Sequence, residues 1–330
     1  MNVGRRAVLA AGASFICAPL MAVAQPQGKV WRVGFLALNT RPPSLDADPF
    51  GAFVRGMREL GYVDGKNLAM EWRFAAGSTE RMAAMAAELA QIKVDVIATW
   101  GVPPASAAQK ATATIPIVMA TATDPLGTGL VKSLARPGGN ITGLSNATVD
   151  ISTKHLGMLL DVNRRLTRVA VLLNPDTASH RAVLESLKLA AQKASITLVP
   201  AEARTLQEID QAFSQFVRET AAALFVPLAP LFIDQRREIA ERALKNRLPS
   251  ISGVNGYAEA GGLMSYGQPL ADHAFRAATY VDKIFKEAKP GDLPIEEATR
   301  FESAINQKTA KALGLTISQQ LLLQVNKVIE

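Results

Sequence analysis

Residues 94–145 constrain this chain most, because three short apolar runs follow one another there through loops too rich in glycine, proline and threonine to be plain connectors. The runs are VDVIAT (94–99), IPIVMA (115–120) and ITGLS (141–145). Short unbroken apolar runs of this kind suit strands buried on both faces of a parallel sheet, and parallel neighbours need a crossover between them. Residues 105–112 and 126–134 are the expected crossover helices, and Pro116 is acceptable because it stands at the start of its strand. The loops 100–104 and 121–125 therefore sit at carboxyl ends of strands beside helix N-termini, where open α/β sheets bind ligands. Thr99, Trp100, Gly101, Thr121, Thr123 and Asp124 are the candidate binding residues on that edge.

The same alternation extends in both directions. Residues 30–36 form the expected first strand, with Asn39 in its exit loop. Asp48 and Pro49 open a helix with Phe50, Phe53, Val54, Met57 and Leu60 on one face, ended by Gly61. Leu68, Met70 and Trp72 alternate as a strand near the sheet edge, and Met82, Met85, Ala86 and Leu89 mark the next helix. After the turn at 136–140 the pattern restarts, with a helix around 155–160 and a strand at 168–173 that exits into Asn174. A helix at 182–194, a strand at 196–200 and a helix opened by the capping box Thr205-Leu206-Gln207-Glu208 follow. The strand 222–226 then exits through Pro227, Leu228, Ala229 and Pro230 into an amphipathic helix at 233–245 and a strand at 249–252. Two rounds of alternation predict an α/β protein of two doubly wound, parallel-sheet lobes. The pieces past Gly261 (extended at 262–268 and 300–306, helical at 274–285) are expected to return and complete both lobes, crossing a hinge several times.

Composition narrows the function classes. A chain of 330 residues, 48% hydrophobic and 20% charged, is globular and long enough for about two domains. Arg5 and Arg6 precede an Ala-rich run at 7–18, and Ala22-Val23-Ala24 supplies a cleavage site, so residues 1–24 are expected to be an export signal. Paired arginines fit twin-arginine export and also occur in general secretory signals. Cleavage would remove Cys17, the single cysteine, and with it any disulfide or thiolate chemistry. It would also take two positive charges from the formal +7, leaving +5. The remaining basic residues, such as Arg236, Arg237, Arg242, Lys245 and Arg247, are scattered along helices without interleaved aromatics, so no nucleic-acid partner is expected. His155, His180 and His273 lack metal-ligand spacing, and no GxSxG, GxGxxG or Walker-type loop is present. Asp124, Asp176 and Glu259 could form an acid–base pair across a cleft, but nothing in their spacing requires it. No catalytic residue, metal or cofactor is therefore expected.

Five blocks have a family likeness: RELGYVDGKNL (58–68), AAELAQIKVDVIAT (86–99), TIPIVMATATDPLGTGLVKSLARPGGNITGLS (114–145), EAGGLMSYG (259–267) and RAATYVDKIFKEAKPGDLPIEEATRFESAINQKTAKALGL (276–315). They resemble the ABC-transporter substrate-binding proteins related to the tryptophan and tyrosine uptake proteins, over residues 30–330. The resemblance implies a type I periplasmic binding-protein fold, with two α/β lobes joined by three hinge strands that close on a small ligand. It further implies delivery of that ligand to an ABC permease in the inner membrane, by a periplasmic protein expected to act as a monomer. The expected lobes are residues 25–146 with about 269–289, and residues 147–268 with about 290–330.

Carried onto this sequence, the family's first-lobe ligand loops resemble residues 99–103 and 121–125. Many relatives read threonine-glycine-glycine-threonine-proline where this chain has Thr99-Trp100-Gly101-Val102-Pro103, and often have an acid where it has Pro227-Leu228-Ala229-Pro230. Asn174 and the proline after it match the family. A site without those hydroxyl and carboxylate partners should take a ligand with more apolar surface, such as an aromatic or other apolar amino acid or a small carboxylate. Thr99, Gly101 and the amides near Ala105 are expected to hold a carboxylate at a helix N-terminus, and Asp124 to pair with an ammonium. Trp100 would stack on a ring, and Tyr257 and Tyr266 flank a second-lobe loop and a hinge strand. The bland alternatives are helix capping for Thr99 and Asp124 and plain packing for the aromatics, with Trp31 and Trp72 in the core. A sensing protein without a transport role and a secreted α/β enzyme are the alternative functions.

Overall fold

A computed structural model describes residues 29–46, 49–297 and 299–330; the expected export signal with Cys17, and the expected Asp48 cap, lie outside them. The first lobe begins with β1 (Trp31–Ala37), α1 (Phe50–Glu59), β2 (Leu68–Phe74), α2 (Thr79–Gln91), β3 (Val96–Trp100), α3 (Val102–Ala111), β4 (Ile117–Thr121) and β5 (Ile141–Ser145). The second runs through α4 (Ser152–Val162), β6 (Arg168–Leu173), α5 (Ser179–Lys193), β7 (Thr197–Glu202), α6 (Leu206–Arg218) and β8 (Leu224–Val226). It continues through α7 (Pro230–Asp234), α8 (Arg236–Lys245), β9 (Ser250–Ser252) and β10 (Met264–Gly267). Helix α9 (Leu270–Phe285) and β11 (Glu296–Glu297) return to the first lobe, and β12 (Glu302–Asn306), α10 (Gln307–Leu313), α11 (Gln319–Gln324) and β13 (Lys327–Ile329) complete the second.

The first sheet has the order β11-β5-β4-β3-β1-β2 and is parallel throughout. The second has the order β13-β12-β10-β9-β8-β6-β7 and is parallel except where β12 runs against β10. The chain passes between sheets after Ser145, after Gly267 and after Glu297, which makes the three-strand hinge. Every residue of β3 and β4 is buried, as unbroken apolar runs require of central strands. Their two faces feed separate cores: Phe35, Phe53, Val96 and Ala98 pack with α9 residues Ala274 and Ala277, while Leu36, Ile97 and Met119 pack with Leu89 and Ala108. Each such fully buried large side chain contributes about 1.5–3 kcal/mol. Strand β2 lies at the sheet edge, and Thr205 caps α6 by accepting from the Glu208 N–H at 3.1 Å, both as the sequence predicts. Gly143 has φ +131° and no room for a side chain, since a Cβ there would stand 2.2 Å from the Met119 carbonyl oxygen.

Three expectations change. Residues 126–134 form successive turns instead of a crossover helix, with Thr128 N–H bonded to Asp124 O and Val131 N–H to Pro125 O. Gly127 and Gly129 (φ +75°) weaken a helix there, while Leu130 and Val131 still bury themselves in the first lobe. The amphipathic stretch 233–245 is split at Gln235 into α7 and α8. Residues 290–297, assigned to the second lobe from sequence, lie against the first: β11 pairs with β5, and Ile295 N–H bonds Leu134 O at 2.8 Å.

Candidate functional site

The carboxyl ends of the two sheets face each other, and the loops that leave them enclose a cavity. Its volume is about 60 Å³, counted as the space open to the centre of a water molecule. The first lobe lines it with Trp100, Gly101, Val102, Pro103, Thr121, Thr123 and Asn146, and the second with Thr177, Ala178, Ser179, Leu228, Ala229, Pro230 and Ile233. Leu270, just past the second crossing, closes one side. Among the described residues no charged side chain and no histidine lines this space.

Asn146 ties the first-lobe wall together. Its Nδ2 donates to Thr121 Oγ1 at 3.1 Å, and its Oδ1 accepts from the hydroxyls of Thr123 and Thr148, both at 2.7 Å. All four side chains are buried, so the network is satisfied internally and costs little to keep dry. Gly101 bridges β3 and α3 with φ +100°, and its N–H bonds Thr121 O at 2.9 Å. The start of α3 is poor in donors: Pro103 and Pro104 have no N–H, and Ala105 N–H reaches back to Gly101 O at 3.4 Å.

On the other wall, one buried ring holds two loops in place. His180 Nδ1 accepts from Asn174 N–H at 2.8 Å and its Nε2–H donates to Leu228 O at 3.1 Å, so the ring is neutral and in a single tautomer. Burial pulls its pKa down to about 4, against the opposing pull of the Leu228 carbonyl. Asn174 organises the loop further, its Oδ1 accepting from Asp176 N–H at 2.9 Å. Ser179 opens the 15-residue helix α5 at the cavity wall; it is 5% exposed and its Oγ has no hydrogen-bond partner among the described residues. The lobes also touch beside the cavity. Asn39 Nδ2–H and Thr40 N–H of the first lobe each donate to the Asp234 carboxylate at 3.1 Å.

Of the residues singled out from sequence, Trp100, Gly101, Thr121, Thr123 and Leu228 come together on the cavity. Trp100 is the last residue of β3 and not a loop residue; it is 3% exposed, with its ring 5.7 Å from that of Phe50. Thr99 lies in β3, fully buried with an unpartnered hydroxyl, and does not cap α3, whose cap is Gly101. Asp124 stands outside, on an open groove, with φ +47° and Oδ1 accepting from Gly127 N–H at 2.8 Å. Asn39 makes the interlobe contact, and Asn174 shapes the second-lobe loop from behind. Tyr257 and Tyr266 are not on the cavity. The Tyr257 hydroxyl donates to Ser250 Oγ within the second-lobe core, and that of Tyr266 accepts from Lys154 Nζ while its ring stacks on Phe301. Asn146, Thr177, Ser179 and Asp234 were missed. The first three follow strands β5 and β6, where the strand-end rule that picked out Thr121 applies equally.

The sequence profile of the family described as ABC transporter substrate binding protein matches residues 40–329. A tyrosine-binding protein of Clostridioides difficile is 29% identical over 274 residues, covering 83% of this chain and 78% of that one. The crystal structure of an ABC domain in complex with L-Trp from Streptococcus pneumonia is 25% identical, with TM-score 0.83 over 91% of this chain and 99% of that one. A ligand-free, open substrate-binding protein with adhesive properties from Clostridium difficile is 26% identical over the same shares, with TM-score 0.66. More distant solved structures share only the fold, which is that of type I periplasmic binding proteins.

Proposed function

The chain belongs to the ABC transporter substrate-binding protein family, and on that premise we propose that it is the exported, periplasmic solute-binding component of an ABC importer. It captures a small molecule with an aromatic or other apolar body between its lobes and closes about the hinge. The observation that carries this reading is the cavity itself, enclosed by both lobes, walled by Trp100, Val102, Leu228 and Ile233, and placed at the carboxyl ends of both sheets. The tyrosine-binding relative and the L-Trp complex support an aromatic solute. The better match to the ligand-bound relative than to the open one, at equal coverage, supports a closed arrangement here.

Closure follows from differential affinity. A solute resting on the Trp100 and Thr121 wall gains the contacts of Leu228 and the α5 end only when the lobes meet, so binding shifts the population toward the closed form that a membrane permease would recognise. The protein works as a monomer, after export by the twin-arginine or general secretory route. Native mass spectrometry of the protein as purified, followed by thermal shifts across aromatic amino acids, aromatic acids and small carboxylates, tests the reading. A bound solute, or a melting temperature that climbs with solute concentration, is expected. Turnover of a hit, or an empty cleft that no solute stabilises, contradicts it.

A further inference from the structure

We infer that the solute is an organic acid with an apolar body and no cationic group, its carboxylate held at the N-terminus of α5 by Ser179. This rests on the reading of the interlobe cavity as the solute site, and sharpens it to a charge class.

The walls treat the two ends of an amino acid unequally. An ammonium group needs acceptors, best of all a carboxylate, and among the described residues none lines the cavity. Asp234 is engaged by Asn39 and Thr40, and Asp124 by Gly127 on the outer groove. The neutral acceptors carry no counter-charge and are partly engaged: Asn146 Oδ1 takes two hydroxyls, Leu228 O takes His180, and Thr121 O takes Gly101 N–H. An ammonium closed into this space would lose its hydration without a counter-charge, which is among the costliest events in a protein interior.

A carboxylate fares differently. The first-lobe helix offers it less, because Pro103 and Pro104 remove two N–H groups from the first turn of α3. Helix α5 has no proline in its first turn and, with His180 N–H bonded to Thr177 O at 2.9 Å, begins at the cavity wall with Ser179, the lining residue whose hydroxyl is buried and unpartnered. An anion bonded to Ser179 Oγ would satisfy that orphan donor and place its charge at the helix end. The apolar body would then extend toward Trp100 and Leu228.

The test is calorimetric titration of the full mature chain with four solutes of one body: 3-phenylpropanoate, L-phenylalanine, 2-phenylethylamine and 3-phenylpropanamide. The acid should bind at least about tenfold more tightly than the amino acid, with the amine weakest. Ser179→Ala should lower the acid's affinity about tenfold while leaving that of the neutral amide within about twofold. Tighter binding of the amino acid, or an equal loss for acid and amide in the Ser179 variant, overturns the inference. If none of the four binds but another zwitterionic solute does, the inference also falls and the binding-protein reading stands. If Leu228→Trp, which fills the cavity, leaves every measured affinity unchanged, the cavity is not the site and that reading falls as well.

Discussion

Acidification below pH 6.5 is expected to weaken the fold and the site together, because three histidines are buried in neutral form. His155, His180 and His273 are 1–2% exposed, and desolvation, the largest cause in each, lowers their pKa from 6.5 to about 4. In the unfolded chain the rings titrate near 6.5, so between there and about pH 4 the unfolded state binds more protons than the native one. Stability is therefore fully present above pH 6.5 and falls as pH falls through that window. Each ring costs about 1.4 kcal/mol per pH unit there, and the three together about 4 kcal/mol per unit, so two units are comparable to the whole stability of a domain. His180 links this to binding, since protonating Nδ1 would remove the acceptor of Asn174 N–H and release the loop that lines the cavity. Urea melts at steps from pH 7.5 to 4.5 should show the midpoint falling steeply, and His180→Leu should flatten the slope by about a third while lowering stability at pH 7.5. A wild-type midpoint that stays constant between pH 7 and 5, or a slope unchanged in the His180 variant, refutes the reasoning.

Removal of the interlobe contact by Asp234→Ala should weaken solute binding by about five- to tenfold, mainly through faster release seen by stopped flow, with the melting of the unliganded protein nearly unchanged. Gly143→Ala should cost more than about 3 kcal/mol in a denaturant melt, since both φ and the Met119 carbonyl oppose a side chain. Trp72 is half-buried in a cluster with Phe35, Phe50 and Phe74, so Trp72→Ala should cost about 2–3 kcal/mol of stability and leave affinity unaltered. Asn146→Ala should lower affinity well beyond Asp124→Ala, as titration calorimetry would register, because only Asn146 braces the wall of the cavity.

Periodicity exposes the layers of this fold readily: unbroken runs became the buried strands β3 and β4, and the alternating run at Leu68 became an edge strand. It fails where glycines compete with an apolar spacing, as at 126–134, because Leu130 and Val131 bury equally well from a string of turns. The strand-end rule located Trp100, Gly101, Thr121 and Thr123, yet which side chains turn inward depends on contacts between the lobes. Tyr257 and Tyr266 looked like cleft aromatics, but each hydroxyl finds its partner within its own lobe. Asp234 had no local signal, since its role exists only once a loop some 195 residues earlier in the chain lies against it.

The central claim is that the lobes move together on a solute in the gap between them. In a Cys17→Ser background, spin labels at Leu126→Cys, exposed and next in the chain to the groove residue Gly127, and at Arg181→Cys on the opposite bank would occupy the only thiols. Pulsed electron resonance should give a long, broad distance distribution without solute and a short, narrow one at saturation. Identical distributions in the two conditions, with binding verified in the same sample, would contradict the account.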